Sequence, residues 1–190
     1  MNLYLASASP RRSHILREWG IPFAVVPAKV SEVMLDDAPE ASARENALNK
    51  ALAGSRAVSE GLIIGADTVV VCEGRILGKP GDETQAREML DMLEGRQHGV
   101  ITAMAGVVVP GGRTATRSTT ASVTMRRLSD DERSAYLRNL EYRDKAGAYA
   151  IQGLAASFIE HVEGPVDTIV GFTMKDFYAL CDELHVDVRR

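Results

Sequence analysis

The chain of 190 residues has no apolar run approaching the roughly 18 residues that a membrane span requires. Its opening, "MNLYLAS", carries neither the basic segment nor the long apolar core of a signal peptide, so a cytoplasmic address and no membrane partner are expected. Cysteine is scarce: Cys72 and Cys181 stand alone, without CxxC spacing or a framework of pairs, which suits a reducing compartment and predicts two buried structural thiols. Basic charge is not in excess. A formal net charge of −4 excludes the basic coat that stable nucleic-acid binding needs, so any polyanion must be small and held locally. Low-complexity tracts, internal repeats and long linkers are missing too. With 45% hydrophobic residues, the chain is expected to form one domain over residues 1–190, or two tightly joined lobes with a cleft between them.

Several familiar catalytic motifs are absent. "GRILGKP" places Gly-Lys at a strand-to-loop junction, yet it lacks four residues between its glycines, and Pro80 stands where a phosphate loop has Ser or Thr. His14, His98, His161 and His185 show no metal spacing such as HExxH, so each reads as a surface or core residue. No GxSxG nucleophile elbow occurs.

What is there is a mixture of strand and helix patterns. "LYLA" reads as a short strand, and Ser9 with Pro10 starts a helix that Gly20 ends and that carries Ile15, Leu16 and Trp19 on one face. "FAVVP" is a second strand. Ser42 and Glu45 form a capping box for a helix over 42–58 with Ala47, Leu48, Ala51, Leu52 and Val58 at helical spacing. "LIIGADTVVV" has the continuous apolar character of a strand buried on both faces, and a turn at "CEGR" follows it. "ETQAREMLDMLEG" gives an amphipathic helix, with Ala86, Met89, Leu90 and Leu93 inward. From His98 to Arg127 two β-rich segments flank "PGGR" as a long hairpin. Ser129 and Glu132 cap a helix reaching about Leu140; "GAYAIQG" and "ASFIEHVEG" predict two more strands, and "MKDFYALCDELHV" predicts a closing helix. Without strict βαβ alternation, the fold class is α/β with a mixed sheet.

A few charges sit in costly places. Asp67 interrupts an apolar strand, where a carboxylate must be hydrogen-bonded, paired with a cation or bound to a metal; a bulge at Gly65 satisfied by neighbouring amides is the plainer alternative. Arg11 and Arg12 occupy the first turn of a helix, where the macrodipole disfavours cations unless an anion joins them. The alternative is two solvated surface arginines. Taken singly, Glu32, Lys50 and Lys79 are ordinary charged residues.

Together these stretches resemble one family. "LASASPRR", Glu32, "LNKA" at Lys50, "GADTVV" with "GRILGKP", "MLDMLEGRQHGVIT" and "DKAGAYAIQG" run in order from residue 3 to about residue 172, and they are similar to the motifs of the Maf nucleoside triphosphate pyrophosphatases. The resemblance implies an elongated, mixed central sheet flanked by helices, of the Maf/Ham1 (ITPase-like) type. It implies cleavage of a nucleoside triphosphate between the α and β phosphates with a divalent cation, Mg²⁺ or Mn²⁺, and commonly a homodimer. By position, the catalytic residues fall on Asp67, Glu32, Lys50 and Lys79, with Asp67 and Glu32 as metal ligands. The substrate-binding positions fall on Ser7, Arg11, Arg12, Thr68 and Gln152. Arg11, Thr68 and Gln152 resemble the branch that prefers dTTP and UTP. "EYRDKAG" and "GFT", at Gly171 to Thr173, depart from the commoner pattern, outside the catalytic set.

The residue types suit that chemistry. A triphosphate carries roughly four negative charges, which Arg11, Arg12, Lys50 and Lys79 would share. Asp67 serves either as the base for an attacking water or as a metal ligand. Gln152 offers a donor and an acceptor to the N3–H and O4 edge of uracil or thymine. Two other readings are a pyrophosphatase for another nucleotide, such as 7-methyl-GTP, and a non-enzymatic nucleotide-binding regulator of septum formation.

Overall fold

The computed structural model describes residues 1–26, 28–35 and 37–188, and its centre is the long apolar run. That run forms strand β3 (Gly61–Cys72), buried along nearly its whole length as its composition requires. The sheet has seven strands in the order β2-β1-β3-β5-β6-β7, with β4 pairing β3. These are β1 (Leu3–Leu5), β2 (Ala24–Val25), β4 (Arg75–Leu77), β5 (Gln97–Val109), β6 (Thr114–Met125) and β7 (Ile159–Glu163). β1 lies parallel to both β2 and β3, whereas β4 is antiparallel to β3 and β7 to β6, so the sheet is mixed. No helix among the described residues is long and apolar enough to cross a membrane. Both cysteines are buried thiols outside any disulfide.

The residues group into two compact units. The first comprises 1–67, 102–119 and 171–190; the second comprises 68–101 and 120–170. Strands β3, β5 and β6 contribute to both.

In the first unit, α1 (Pro10–Glu18) starts at Pro10 as its sequence dictates, but the Ser9 side chain does not cap it. Trp19 does not turn inward: it ends the helix, stays exposed and meets Tyr178 edge-on with ring centroids 6.2 Å apart. Helix α2 (Pro39–Ser55) starts earlier than the capping-box pattern predicts. Ser42 is one turn inside it, donating to the Ala38 carbonyl and accepting from the Leu35 amide. Of the expected stripe Ala47 and Ala51 are buried, together with Ala43 and Gly54, whereas Leu52 is exposed. The reason is Gly65. A Cβ there would stand 2.2 Å from the Ala47 carbonyl and 2.7 Å from the Ala51 amide, so the helix backbone lies directly on the strand. Gly65 therefore marks a close approach rather than a bulge. β2 is shorter than "FAVVP" predicts, and Pro27 lies outside the described residues. Helix α6 (Met174–Glu183) forms where it is expected and buries Phe177 and Leu180.

In the second unit, α3 (Glu83–Leu93) is capped by the Asp82 side chain, which accepts from the Gln85 amide, and buries Ala86, Leu90 and Leu93. α4 (Asp130–Arg138) has the full capping box of Ser129 and Glu132. "CEGR" turns through Glu73 and Gly74, both at positive φ, and returns as β4. "GAYAIQG" is not a strand: Gly147, Ala148 and Gly153 all have positive φ, which bends the segment out of extended geometry. A 3₁₀ turn follows over Leu154–Phe158, leaving only Ile159–Glu163 of the predicted later strand as β7. A short helix, α5 (Val166–Val170), completes this unit.

Candidate active site

The contact of α2 with β3 places two charges of the sequence-predicted set side by side. Lys50, 9% exposed, projects from the helix stripe, and Asp67, 5% exposed, lies on β3 two residues beyond Gly65. Lys50 Nζ donates to Asp67 Oδ1 at 2.6 Å and to Glu32 Oε1 at 2.7 Å, joining two carboxylates through one ammonium. Asp67 Oδ2 accepts a third hydrogen bond from Asn46 Nδ2 at 3.2 Å. The Glu32 side chain is 29% exposed, so the cluster has a wet end and a dry end. Asp67 thus meets the cation-paired condition that burial sets.

The first motif reaches the same strand through Arg12. Its Nη1 donates to Ser7 Oγ at 3.1 Å and to the Ala66 carbonyl at 2.9 Å, and its Nε donates to the Gly171 carbonyl at 2.9 Å. Ser7 Oγ also accepts from the Ser9 amide, which shapes the loop ahead of α1. Loss of solvent pulls the Arg12 pKa down; Asp67 opposes that shift and Arg11 reinforces it. Arg12 therefore ties Ser7 to the residue beside Asp67, a structural duty the sequence did not disclose. Both arginines of the motif are half-buried.

Thr68, Lys79 and Gln152 belong to the second unit. Thr68 directly follows Asp67 and is half-buried, while Lys79 and Gln152 are exposed. Within this unit the loops bearing Lys79 and Gln152 are tied, because the Gly147 amide donates to the Gly78 carbonyl at 3.0 Å. Gly147 is also pressed on Val70, where a Cβ would stand 3.1 Å away. The loop has a buried anchor in Tyr149, whose hydroxyl lies 2.6 Å from His98 Nε2. Burial drives the His98 pKa down to about 4, against a weaker opposing pull from the Arg96 backbone, and pushes the Tyr149 phenol up. At neutral pH the pair is uncharged.

Asn46, His98 and Tyr149 are absent from the sequence-predicted set. Asn46 had a legible signal: it stands four residues before Lys50, on the same helix face, among positions otherwise held by alanine. The His98–Tyr149 pair had none, because it joins residues 51 positions apart.

The donor set suits a divalent cation of the Mg²⁺ type, which is commonly held by one or two carboxylates with substrate phosphates supplying further oxygens. Among the described residues, no group of three or more His, Cys, Asp or Glu side chains forms a cage made by the protein alone.

Known proteins resemble this chain in sequence and in fold. The family described as "Maf-like protein" matches residues 2–184. The dTTP/UTP pyrophosphatase of Moorella thermoacetica is 41% identical over 187 residues, covering 98% of this chain and 96% of that protein. The dTTP/UTP pyrophosphatase of Paramagnetospirillum magneticum is 43% identical over 182 residues, covering 95% of each. Among solved structures, the Ham1 protein of Staphylococcus aureus aligns with a TM-score of 0.51 at 16% identity, covering 100% of this chain and 93% of that one, a likeness of fold alone. Matched by the family model over nearly its whole length and by relatives 41% and 43% identical, this chain belongs to the Maf-like protein family.

Proposed function

We propose that this protein is a nucleoside triphosphate pyrophosphatase that hydrolyses dTTP and UTP to the monophosphate and pyrophosphate. The observation that carries the reading is the buried Lys50 between Asp67 and Glu32, next to the Arg12-bound first motif. A protein that only bound nucleotides would gain nothing from two carboxylates beside phosphates. The relatives named above supply the substrate class.

Asp67 is the central group. Each of its oxygens accepts one hydrogen bond and keeps a second lone pair, enough to orient and take a proton from a water attacking the α phosphorus. Asp67 and Glu32 would also hold Mg²⁺ or Mn²⁺, which when bound neutralises phosphate charge and acidifies water. Lys50 keeps the two carboxylates together and carries positive charge toward the leaving pyrophosphate. The first turn of α1 has no acidic residue and no side-chain cap, so its amides and Arg11 suit a phosphate. Lys79 adds a cation for the β and γ phosphates, and Gln152, with Thr68, reads the pyrimidine; these assignments rest on the motif resemblance.

Incubation of the purified chain with dTTP, UTP, CTP, GTP and 7-methyl-GTP, with Mg²⁺ or Mn²⁺, and assay of pyrophosphate tests the reading. Release from dTTP and UTP above the others is expected. A clear preference for GTP or its methylated form overturns the pyrimidine assignment, and no release from any of them overturns the enzyme.

A further inference from the structure

The two carboxylates of the cluster come from unlike pieces of chain. Asp67 is fixed in a strand ladder, whereas Glu32 belongs to a stretch, residues 28–35, with no regular secondary structure. Such a stretch holds its place only if its backbone groups find partners elsewhere. Asn46, 1% exposed on α2, provides them at the residue next to Glu32. Its Oδ1 accepts from the Val33 amide at 2.7 Å, and its Nδ2 donates to the Val33 carbonyl at 2.9 Å and to Asp67 Oδ2 at 3.2 Å.

This partner set admits a single orientation of the amide. Turned over, its oxygen would face the Val33 carbonyl and the Asp67 carboxylate, and its NH₂ would face the Val33 N–H. Ser42, one helical turn earlier, holds the same stretch at the Leu35 amide, but its hydrogen bonds end on backbone groups. Asn46 continues to the carboxylate. We propose that Asn46 is a positioning residue that sets the register of the Glu32 stretch against Asp67, and through it the separation of the carboxylates that Lys50 bridges. The inference rests on the reading of those carboxylates as catalytic.

Leucine at this position would keep the branching and the number of side-chain heavy atoms while removing all three hydrogen bonds, which separates positioning from filling. Aspartate would keep the acceptor for the Val33 amide but turn an oxygen on the Val33 carbonyl and on Asp67. The experiment compares wild type, Asn46→Leu and Asn46→Asp by dTTP kinetics with pyrophosphate detection and by amide hydrogen exchange of the nucleotide-free proteins. For Asn46→Leu, kcat should fall about 10- to 100-fold, the scale of a small misplacement of reacting groups, with KM within about threefold of wild type. The Val33 amide should lose protection by about tenfold or more while the amides of α2 and β3 keep theirs. Asn46→Asp should lose more kcat than Asn46→Leu yet retain more Val33 protection. Wild-type kcat in Asn46→Leu, unchanged Val33 exchange, or loss of protection spread through α2 and β3 each overturns the proposal, the last by showing a packing role. If wild type itself releases no pyrophosphate, the functional reading fails on its own. The Val33 exchange then judges the clamp, upholding it if protection is lost in Asn46→Leu and overturning it if not.

Discussion

In the first unit the buried Lys50 lies between the buried Asp67 and the part-exposed Glu32, a cluster of ions, whereas the second unit buries the uncharged pair His98 and Tyr149. The second unit does hold one buried cation, Arg133. Its guanidinium lies within 2.9 Å of carboxylate oxygens of Asp91, Glu94 and Asp130, which reach outward, so the hub is wet on one side and joins α3 to α4. The contrast separates two uses of polarity. Packed apolar side chains stabilise a fold as well as or better than a buried ion pair does, so a cluster like that of Lys50 points to chemistry. A neutral hydrogen-bonded pair avoids the cost of burying charge and anchors a loop, here the loop that leads to Gln152.

The sharpest way to break this comparison is to remove charge from one carboxylate. Asp67→Asn should lower kcat by about 10²- to 10⁴-fold while the protein stays folded, because the change is nearly isosteric and Lys50 retains an acceptor. Near-wild-type kcat for dTTP would take Asp67 out of the mechanism. Next in size is the effect on the fold of removing the shared cation. Lys50→Met takes from Asp67 and Glu32 the ammonium they share and should destabilise by about 3 kcal/mol, the low end for a broken buried pair because Glu32 is part-exposed. Adding Asp67→Asn to that variant should restore part of the stability in denaturant unfolding and none of the activity. Equal stability of the two variants would show that the pair is not coupled.

For the neutral pair, the effect lies in pH. The folded His98 pKa is depressed to about 4, below the ordinary 6.5, so between those values the unfolded chain binds the extra proton. The stability this contributes is present above about pH 6.5 and is lost as pH falls toward 4, by up to about 3 kcal/mol. His98→Phe should flatten that part of the unfolding profile; an unchanged slope would assign it to other groups. The smallest expected effect is on base choice. Gln152→Ala should lower kcat/KM for dTTP and UTP by about 10- to 100-fold, with purine triphosphates changed less. Its exposed position makes stability insensitive, within about 0.5 kcal/mol. Parallel losses of stability and of activity on every nucleotide would mean that Gln152 does not read the base.

Much of this was legible in the chain. A carboxylate inside "LIIGADTVVV" announces a partner, because burial in a strand leaves it no solvent. The long hairpin, the Ser129 capping box and the buried cysteines follow from local pattern. Patterns failed where the surroundings outweighed them. The helical spacing of Ala47, Leu48, Ala51, Leu52 and Val58 predicted the inner face of α2, and it holds at the alanines but not at Leu52: Gly65 lets the alanine face come closer, so the helix turned its small residues inward and Lys50 with them. "GAYAIQG" has the composition of a strand, yet the contact of Gly147 with Val70 and its hydrogen bond to Gly78 favour a bent loop.

By its own order of residues the sequence determined most of the strands and helices, the family, and the set of residues proposed to meet a triphosphate, because these depend on side-chain type and on spacing along one stretch. Only the tertiary structure decided which of those groups touch. Lys50 reaches Asp67 because a glycine lets a helix rest on a strand, Arg12 is tied to the Ala66 and Gly171 carbonyls, and Asn46 joins an irregular stretch to a carboxylate. Each of these contacts joins residues distant along the chain, and its geometry is set by backbone approach, which local sequence pattern does not encode.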